Sequence, residues 1–115
     1  MSSLPQRADQ LMVLIPAYNE EGAVGQVIDG VRQVLPEAQI VVIDDCSTDN
    51  TVAVASAAGA EVVTIPCNLG IGGAVQTGFK FAREHGFDVV VRLDGDGQHD
   101  PNEASSLLTA LNTGQ

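Results

Sequence analysis

The sequence of 115 residues is poor in basic side chains, with five lysines and arginines against fifteen aspartates and glutamates and a formal net charge of −10 at pH 7. Such an excess of negative charge repels a polyphosphate backbone, so the composition argues against nucleic acid as a partner. Any phosphate that the protein binds would need a local group that attracts anions, such as a divalent cation, a helix N-terminus or a set of backbone amides.

Long apolar runs are missing as well. No stretch approaches the ~20 residues that span a bilayer, and the polar N-terminal segment, residues 1–10, lacks the apolar core of a signal peptide. We therefore expect a cytoplasmic protein. Cysteine is scarce, since Cys46 and Cys67 follow two different apolar runs without the CxxC spacing of a zinc site. Both are predicted to be reduced thiols rather than parts of a disulfide framework.

Four short runs rich in β-branched residues stand out, at residues 11–15, 40–43, 62–65 and 89–93. Each run is nearly continuous in apolar residues and is followed by turn-forming residues. This pattern predicts strands of a parallel sheet that is covered on both faces.

Helical spacing of apolar residues fills the gaps and predicts three helices, at residues 24–35, 51–58 and 71–82. A fourth helix is predicted after Asp100, where Pro101 and Glu103 complete an N-terminal capping pattern before the leucines of 107–111. The alternation predicts an α/β fold, a three-layer Rossmann-like sandwich with a mainly parallel sheet of at least four strands. In such a fold ligands bind beyond the carboxyl ends of the strands, where the polar clusters of this sequence lie.

The first polar cluster, residues 16–21, follows the first strand with the sequence PAYNEE. Pro16 and Tyr18 are suited to form the wall of a base pocket, and Glu20 is suited to hold a ribose hydroxyl. A plain turn with two acids at the start of a helix, favoured by the helix dipole, explains the same residues equally well.

The second cluster follows the second strand and contains two adjacent carboxylates, Asp44 and Asp45. Their mutual repulsion requires that one of them bonds to a ligand N–H group, a helix end or a cation, so we expect one to be functional. Ser47, Thr48 and Asp49 are predicted to cap the helix that follows.

Glycines open the third predicted helix after Asn68 and Leu69, at positions 70, 72, 73 and 78. A dinucleotide-binding fingerprint is disfavoured, because it follows the first strand of its unit at once and comes with a strand-end acid that is missing here. We expect the glycines to let the helix approach either a neighbouring element or a diphosphate closely.

The fourth cluster follows the last strand and has the sequence DGDGQHD from Asp94 onwards. Asp94 and Asp96 offer carboxylates and Gln98 offers a neutral oxygen, which suit Mg²⁺ or Mn²⁺ bound together with substrate phosphates. A calcium EF-hand loop is excluded, because its sixth and twelfth positions would be His99 and Ser105 instead of glycine and glutamate.

Two other interpretations compete for this cluster. A phosphohydrolase of the haloacid-dehalogenase type also places an Asp-x-Asp pair after a strand and would use Asp94 as a nucleophile. It normally carries this motif near the chain start with a following threonine, and neither applies here. An acidic turn that caps the predicted fourth helix explains Asp100 but not Asp94 and Asp96. Metal binding is therefore preferred, with the phosphohydrolase as an alternative.

Four segments carry a further signal, namely VLIPAYNE at 13–20, VVIDDCSTD at 41–49, NLG at 68–70 and DGDGQH at 94–99. In order and spacing they resemble the family 2 glycosyltransferases of the GT-A fold, and especially polyprenyl-phosphate sugar transferases of the dolichyl-phosphate mannose synthase type. The similarity covers residues 11–111.

The resemblance implies specific site residues. The nucleoside pocket would be lined by Pro16, Tyr18, Glu20, Ile43 and Asp45. The diphosphate of a nucleotide sugar would be held by Asp94, Gly95 and Asp96, with Mg²⁺ or Mn²⁺ bound to Asp94, Asp96 and Gln98.

The resemblance also implies an activity, the inverting transfer of a sugar from a UDP- or GDP-linked donor to a polyprenyl phosphate or a polysaccharide. Residues 11–115 would form the nucleotide-sugar-binding part, without the acceptor half and its general base, so the chain alone is expected to be inactive. No catalytic residue is assigned, since His99 and Asp100 are expected to be structural. A longer form is expected at the cytoplasmic face of a membrane, and two copies can pair through the truncated sheet. A nucleotide-binding module without activity is the other alternative.

Overall fold

The computed structural model describes residues 11–66, 68–95 and 108–110, which form one sheet and three helices. In chain order the elements are β1 Leu11–Ala17, α1 Val24–Val34, β2 Gln39–Asp44, α2 Thr51–Ala57, β3 Glu61–Thr64, α3 Gly70–Glu84, β4 Val89–Arg92 and β5 Leu108–Ala110. The α/β fold with a mainly parallel sheet is confirmed.

The sheet has the strand order β3-β2-β1-β4-β5, in which β1 to β4 run parallel and β5 runs antiparallel to β4. The chain moves outward from β1 through β2 to β3 and then returns to place β4 on the other side of β1. The strand order therefore reverses beside β1, and in open α/β sheets such a reversal opens a crevice at the carboxyl ends of the strands.

Helices cover both faces of the sheet. From β1, Val13 and Ile15 pack with α1 and α2, whereas Met12 and Leu14 pack with α3. All four side chains are fully buried, and burial of each contributes about 2 kcal/mol. Because both faces are covered, β1 and β2 have continuous apolar sequences rather than alternating ones.

The three described helices match their predicted positions to within two residues. α1 ends before Pro36 and α2 ends before Gly59, while α3 begins at Gly70 and ends before Gly86. Gly59 and Gly86 have positive φ values of 96° and 80°, the left-handed conformation that commonly ends helices. None of the helices in the described ranges is both long and apolar enough to cross a membrane.

The predicted fourth helix is wrong at residues 108–110, which form β5, while Asp100, Pro101 and Glu103 lie outside the described residues. β5 pairs Leu108 with Val91 and Ala110 with Val89. The backbone N–H and C=O groups of β4 would otherwise stay unpaired at the sheet edge. Pairing with them outweighs the helix preference of three residues, which differs between ordinary residue types by less than about 0.7 kcal/mol each.

Candidate functional site

A cleft of about 230 Å³ opens at the carboxyl ends of the central strands. It is built by the β1–α1 connection, the residue after β2 and the first turn of α3. Its lining consists of Pro16, Ala17, Tyr18, Glu20, Asp45, Asn68, Gly70, Ile71 and Ala74. The PAYNEE motif, Asp45 and the glycine-rich helix start, which are separate in the sequence, therefore meet at one cleft.

The β1–α1 connection forms one wall of this cleft. Pro16, Tyr18 and Glu20 all line it, and Tyr18 keeps 44% of its surface exposed. Asn19 between them has a positive φ of 54°, a conformation that asparagine tolerates better than most residues. The structure thus places three predicted site residues side by side, and their role in binding stays a prediction.

Asp45 joins this wall to α3. Its carboxylate is 3% exposed and accepts the backbone N–H groups of Leu69 at 2.7 Å and of Gly70 at 2.8 Å, one with each oxygen. These donors are at the N-terminus of α3, where helical N–H groups lack partners within the helix. Gly70 has a φ of 82°, which favours glycine at this point.

The adjacent carboxylate points elsewhere. Asp44 is 1% exposed and accepts hydrogen bonds from the backbone N–H and the hydroxyl of Ser47. Successive strand residues face opposite sides of a sheet, so the repulsion expected between Asp44 and Asp45 is relieved by their separate partners. The sequence predicts that one of the two carboxylates bonds to a ligand N–H group, a helix end or a cation. Asp45 bonds to a helix end, and it also lines the cleft.

A set of hydrogen bonds, here called the loop bridge, connects residues 19–21 with residues 47–51. Three consecutive backbone N–H groups donate to side chains of the second loop, from Asn19 to Ser47 Oγ at 2.9 Å, from Glu20 to Thr51 Oγ1 at 2.8 Å and from Glu21 to Asp49 Oδ2 at 3.2 Å. In return, Thr48 N–H donates to Asn19 Oδ1 at 2.8 Å and Asn50 N–H donates to Glu21 Oε1 at 2.9 Å.

The loop bridge corrects the predicted capping role of Ser47 and Thr48. The residue before α2 is Asn50, whose side chain makes no capping bond, and Ser47 and Thr48 bond to the β1–α1 loop instead. Asp49 comes close to the prediction, because Oδ1 accepts the N–H of Thr51, the first residue of α2, at 2.9 Å. The long-range bonds prevail because the two loops lie side by side at the sheet edge.

Asp49 gives the loop bridge a pH dependence. Desolvation raises its pKa, but hydrogen bonds from the Thr51 hydroxyl and from the backbone of Thr51, Glu21 and Asp49 itself outweigh this and hold the pKa below its usual 3.8. A carboxylate whose pKa is depressed in the folded state stabilises the fold above its unfolded pKa and loses this effect as the pH falls through the folded pKa.

We therefore expect Asp49→Asn to lower the free energy of unfolding at pH 7. The difference from wild type should shrink as the pH falls below about 3.8. Urea denaturation of both proteins at several pH values between 7 and 3 measures this. A difference that stays constant over that range would show that ionisation of Asp49 does not stabilise the loop bridge.

The end of β4 lies against β1 close to the cleft. Backbone hydrogen bonds from Leu93 N to Leu14 O at 3.0 Å and from Gly95 N to Pro16 O at 3.4 Å continue the pairing beyond β4. A Cβ atom on Gly95 would lie 3.2 Å from Pro16 O and from Ala17 Cβ, so glycine suits this close approach. The start of the DGDG motif is thereby fixed beside the PAYNEE motif.

Asp94 is the predicted metal ligand whose side chain the structure describes. Its side chain is 24% exposed, and Oδ1 lies 3.6 Å from Nη2 of Arg92. Asp96 and Gln98 lie outside the described residues, and within the described ranges no three His, Cys, Asp or Glu side chains cluster as a metal site would require. The metal site stays a prediction.

Two residues lie elsewhere in the structure than the sequence analysis indicates. Ile43, which the resemblance places in the nucleoside pocket, is fully buried in the core with Ala74 and does not line the cleft. In the other direction, Ile71 lines the cleft and is 58% exposed, although it was predicted only as a residue of the helix pattern. A large apolar residue in the first turn, directly after Gly70, was the signal available for it.

The sequence model of the family described as glycosyl transferase family 2 matches residues 12–115. Undecaprenyl-phosphate mannosyltransferase of Micrococcus luteus is 35% identical over 109 residues, which cover 90% of this chain and 45% of that protein. Polyprenol monophosphomannose synthase of Mycolicibacterium smegmatis is 34% identical over 109 residues, 90% of this chain and 41% of that protein. The chain spans less than half the length of these relatives.

A solved structure is also similar. Glucosyl-3-phosphoglycerate synthase of Mycobacterium tuberculosis, in complex with Mn²⁺, UDP and glucosyl-3-phosphoglycerate, superposes with a TM-score of 0.64 at 31% identity, over 76% of this chain and 33% of that one. The predicted GT-A fold is confirmed by this similarity.

Proposed function

We propose, since the chain belongs to glycosyl transferase family 2, that it binds a nucleoside-diphosphate sugar with Mg²⁺ or Mn²⁺ and forms the donor-binding part of an enzyme that transfers the sugar. The observation that carries the proposal is the convergence of the PAYNEE motif, Asp45 and the α3 N-terminus on one cleft at the carboxyl end of β1, the strand beside which the strand order reverses. Residues 11–115 would form this nucleotide-sugar-binding part.

The cleft suits a nucleoside. The exposed ring of Tyr18 offers a face on which a base can stack, and the carboxylate of Glu20 can accept hydrogen bonds from ribose hydroxyls. Asp45 retains acceptor capacity for a base N–H group, because each carboxylate oxygen carries two lone pairs. The cleft of about 230 Å³ is smaller than the ~300–1,000 Å³ of sites for whole ligands. The diphosphate and sugar would therefore extend beyond it.

The diphosphate would extend toward the end of β4. Asp94 supplies a hard carboxylate oxygen there, and such oxygens together with phosphate oxygens form the ligand set that Mg²⁺ prefers, so the donor chemistry fits the ion. Asp96 and Gln98 are proposed as further ligands. When bound, the metal would neutralise negative charge on the departing nucleoside diphosphate. The same similar synthase has also been solved in complex with Mg²⁺ and UDP, which supports a divalent cation.

The acceptor is proposed to be a polyprenyl phosphate, whose phosphate oxygen would attack the anomeric carbon of the donor sugar with inversion of configuration while the bond from that carbon to the nucleoside diphosphate breaks and the nucleoside diphosphate leaves. The support is in the names of the relatives, which act on undecaprenyl phosphate or form polyprenol monophosphomannose. A location at the cytoplasmic face of a membrane and pairing of two copies stay predictions. The family match favours sugar transfer over the phosphohydrolase alternative.

The test is a calorimetric titration of the chain with UDP, GDP, UDP-glucose and GDP-mannose, with Mn²⁺ and then with EDTA. We expect Mn²⁺-dependent binding of a uridine or a guanosine nucleotide and at least about tenfold weaker binding with EDTA and in Asp96→Asn. Glu37→Gln removes the same charge at an exposed position outside the cleft and should bind like wild type. Equal affinity with EDTA, or no binding of any of the four, would contradict the proposal.

A further inference from the structure

We infer that Thr51 is a positioning residue that holds Glu20 at the cleft wall through the loop bridge and thereby sets the affinity for the nucleoside. The inference rests on the proposed function and deepens it, because it concerns the same cleft. Thr51 itself does not line the cleft and is fully buried at the start of α2.

The hydroxyl of Thr51 has a defined direction. It donates its one hydrogen to Asp49 Oδ1, so its lone pairs are available to the backbone N–H of Glu20, which donates at 2.8 Å. Asp49 is itself held by the N–H groups of Thr51 at 2.9 Å and of Glu21 at 3.2 Å. The acceptor of the Glu20 N–H group is therefore fixed from two sides.

Both backbone groups of Glu20 are held. Its carbonyl oxygen accepts the N–H groups of Ala23 at 3.0 Å and of Val24 at 2.9 Å, which starts α1. Because the N–H group is bound to Thr51 as well, the backbone of Glu20 is fixed, and its side chain starts from a defined position at the cleft wall. The side chains of the two neighbouring residues have a different role. Those of Asn19 and Glu21 bond to residues 47–51, whereas Glu20 lines the cleft.

Because it holds the backbone of Glu20, the buried Thr51 would affect a ligand that it does not touch. A loop that is already held in its binding conformation loses less conformational freedom when the ligand binds, so its affinity is higher. Replacing the hydroxyl of Thr51 by a methyl group keeps the shape of the side chain but leaves the part-buried Glu20 N–H without this acceptor, which favours a shift of the loop.

The experiment compares Thr51→Val with Thr51→Ser, which keeps the hydroxyl. Thr77→Val is the matched control, because Thr77 Oγ1 also makes a part-buried hydrogen bond, to Gly73 O at 2.8 Å in α3, and does not line the cleft. Affinity for UDP and GDP with Mn²⁺ is measured well below the melting temperature, and amide hydrogen exchange of Glu20 is measured without ligand.

We expect Thr51→Val to bind about tenfold more weakly and to exchange the Glu20 amide faster, whereas Thr51→Ser and Thr77→Val stay within about twofold of wild type in affinity. Wild-type affinity in folded Thr51→Val, or an equal loss in Thr77→Val, overturns the inference and leaves the proposed function standing. Failure of the wild type to bind either nucleotide overturns the proposed function and the inference with it, so the two failures are distinguishable.

A second variant covers the case in which Thr51→Val does not fold. Asn19→Gly permits the positive φ of 54° at this exposed residue but removes the acceptor of the Thr48 N–H group. It acts on the same loop bridge from its solvent side. We expect about fivefold weaker nucleotide binding in this variant, and unchanged affinity would overturn the inference.

Discussion

Asp45→Ala is expected to weaken nucleotide binding by about 100-fold and to lower the free energy of unfolding by about 3 kcal/mol. The carboxylate accepts the N–H groups of Leu69 and Gly70 while it is almost fully buried, and its removal leaves both donors at the α3 N-terminus without this partner. Gly70 and Ile71 belong to the cleft lining, so the opposite wall moves when this attachment is lost.

Calorimetric titration gives the affinity of Asp45→Ala, and urea denaturation gives its stability. Asp29→Ala is the control, since it removes the same carboxylate from an exposed position on α1. It should change stability by less than about 0.5 kcal/mol and leave the affinity unchanged. If Asp45→Ala bound nucleotide as tightly as wild type, Asp45 would be a helix anchor alone and would have no part in the nucleoside site.

The elements that sequence analysis located well are those whose burial is uniform. β1 and β2 are covered on both faces, so their continuous apolar runs identify them without knowledge of their partners. The position of Asp45 at a helix end was also within reach, because two adjacent buried carboxylates need separate partners.

Contacts between distant segments were out of reach. The loop bridge joins residues 28 to 31 positions apart, and local capping rules assigned Ser47 and Thr48 to the nearest helix instead. β5 is a similar case, since three residues that fit a helical pattern are recruited by the edge of β4. The partner of each segment, which the local sequence does not encode, decided its structure.

Position along the strand, which alternation does not predict, separates two residues that the resemblance assigns to the nucleoside pocket. Ile43 lies inside β2 and is buried in the core with Ala74, whereas Asp45 follows the strand and reaches the cleft. The PAYNEE motif is divided as well, since Tyr18 and Glu20 line the cleft whereas the side chains of Asn19 and Glu21 belong to the loop bridge. Part of this motif therefore serves to place the rest.

Alanine at two glycines of α3 is expected to change stability in opposite directions. A Cβ atom on Gly78 would lie 2.2 Å from Leu14 Cδ1 and 2.7 Å from Cδ2, and Leu14 is fully buried in β1 and cannot turn away into solvent. Overpacking of this kind costs about 1–3 kcal/mol. After the gain of about 1 kcal/mol in helix propensity, we expect Gly78→Ala to lower the free energy of unfolding by about 1 kcal/mol, and by up to about 2 kcal/mol if Leu14 does not shift.

Gly72→Ala provides the matched control in the same helix, because nothing lies within 4 Å of a Cβ atom there and the residue is exposed. It should raise the free energy of unfolding by about 0.5–1 kcal/mol, the propensity effect alone. Urea denaturation of both variants gives the difference, and equal stabilisation would mean that α3 does not lie this close to β1. Since the first turn of α3 forms a wall of the cleft, a helix displaced by Gly78→Ala should also bind nucleotide more weakly, which ties the packing of β1 to the proposed donor site.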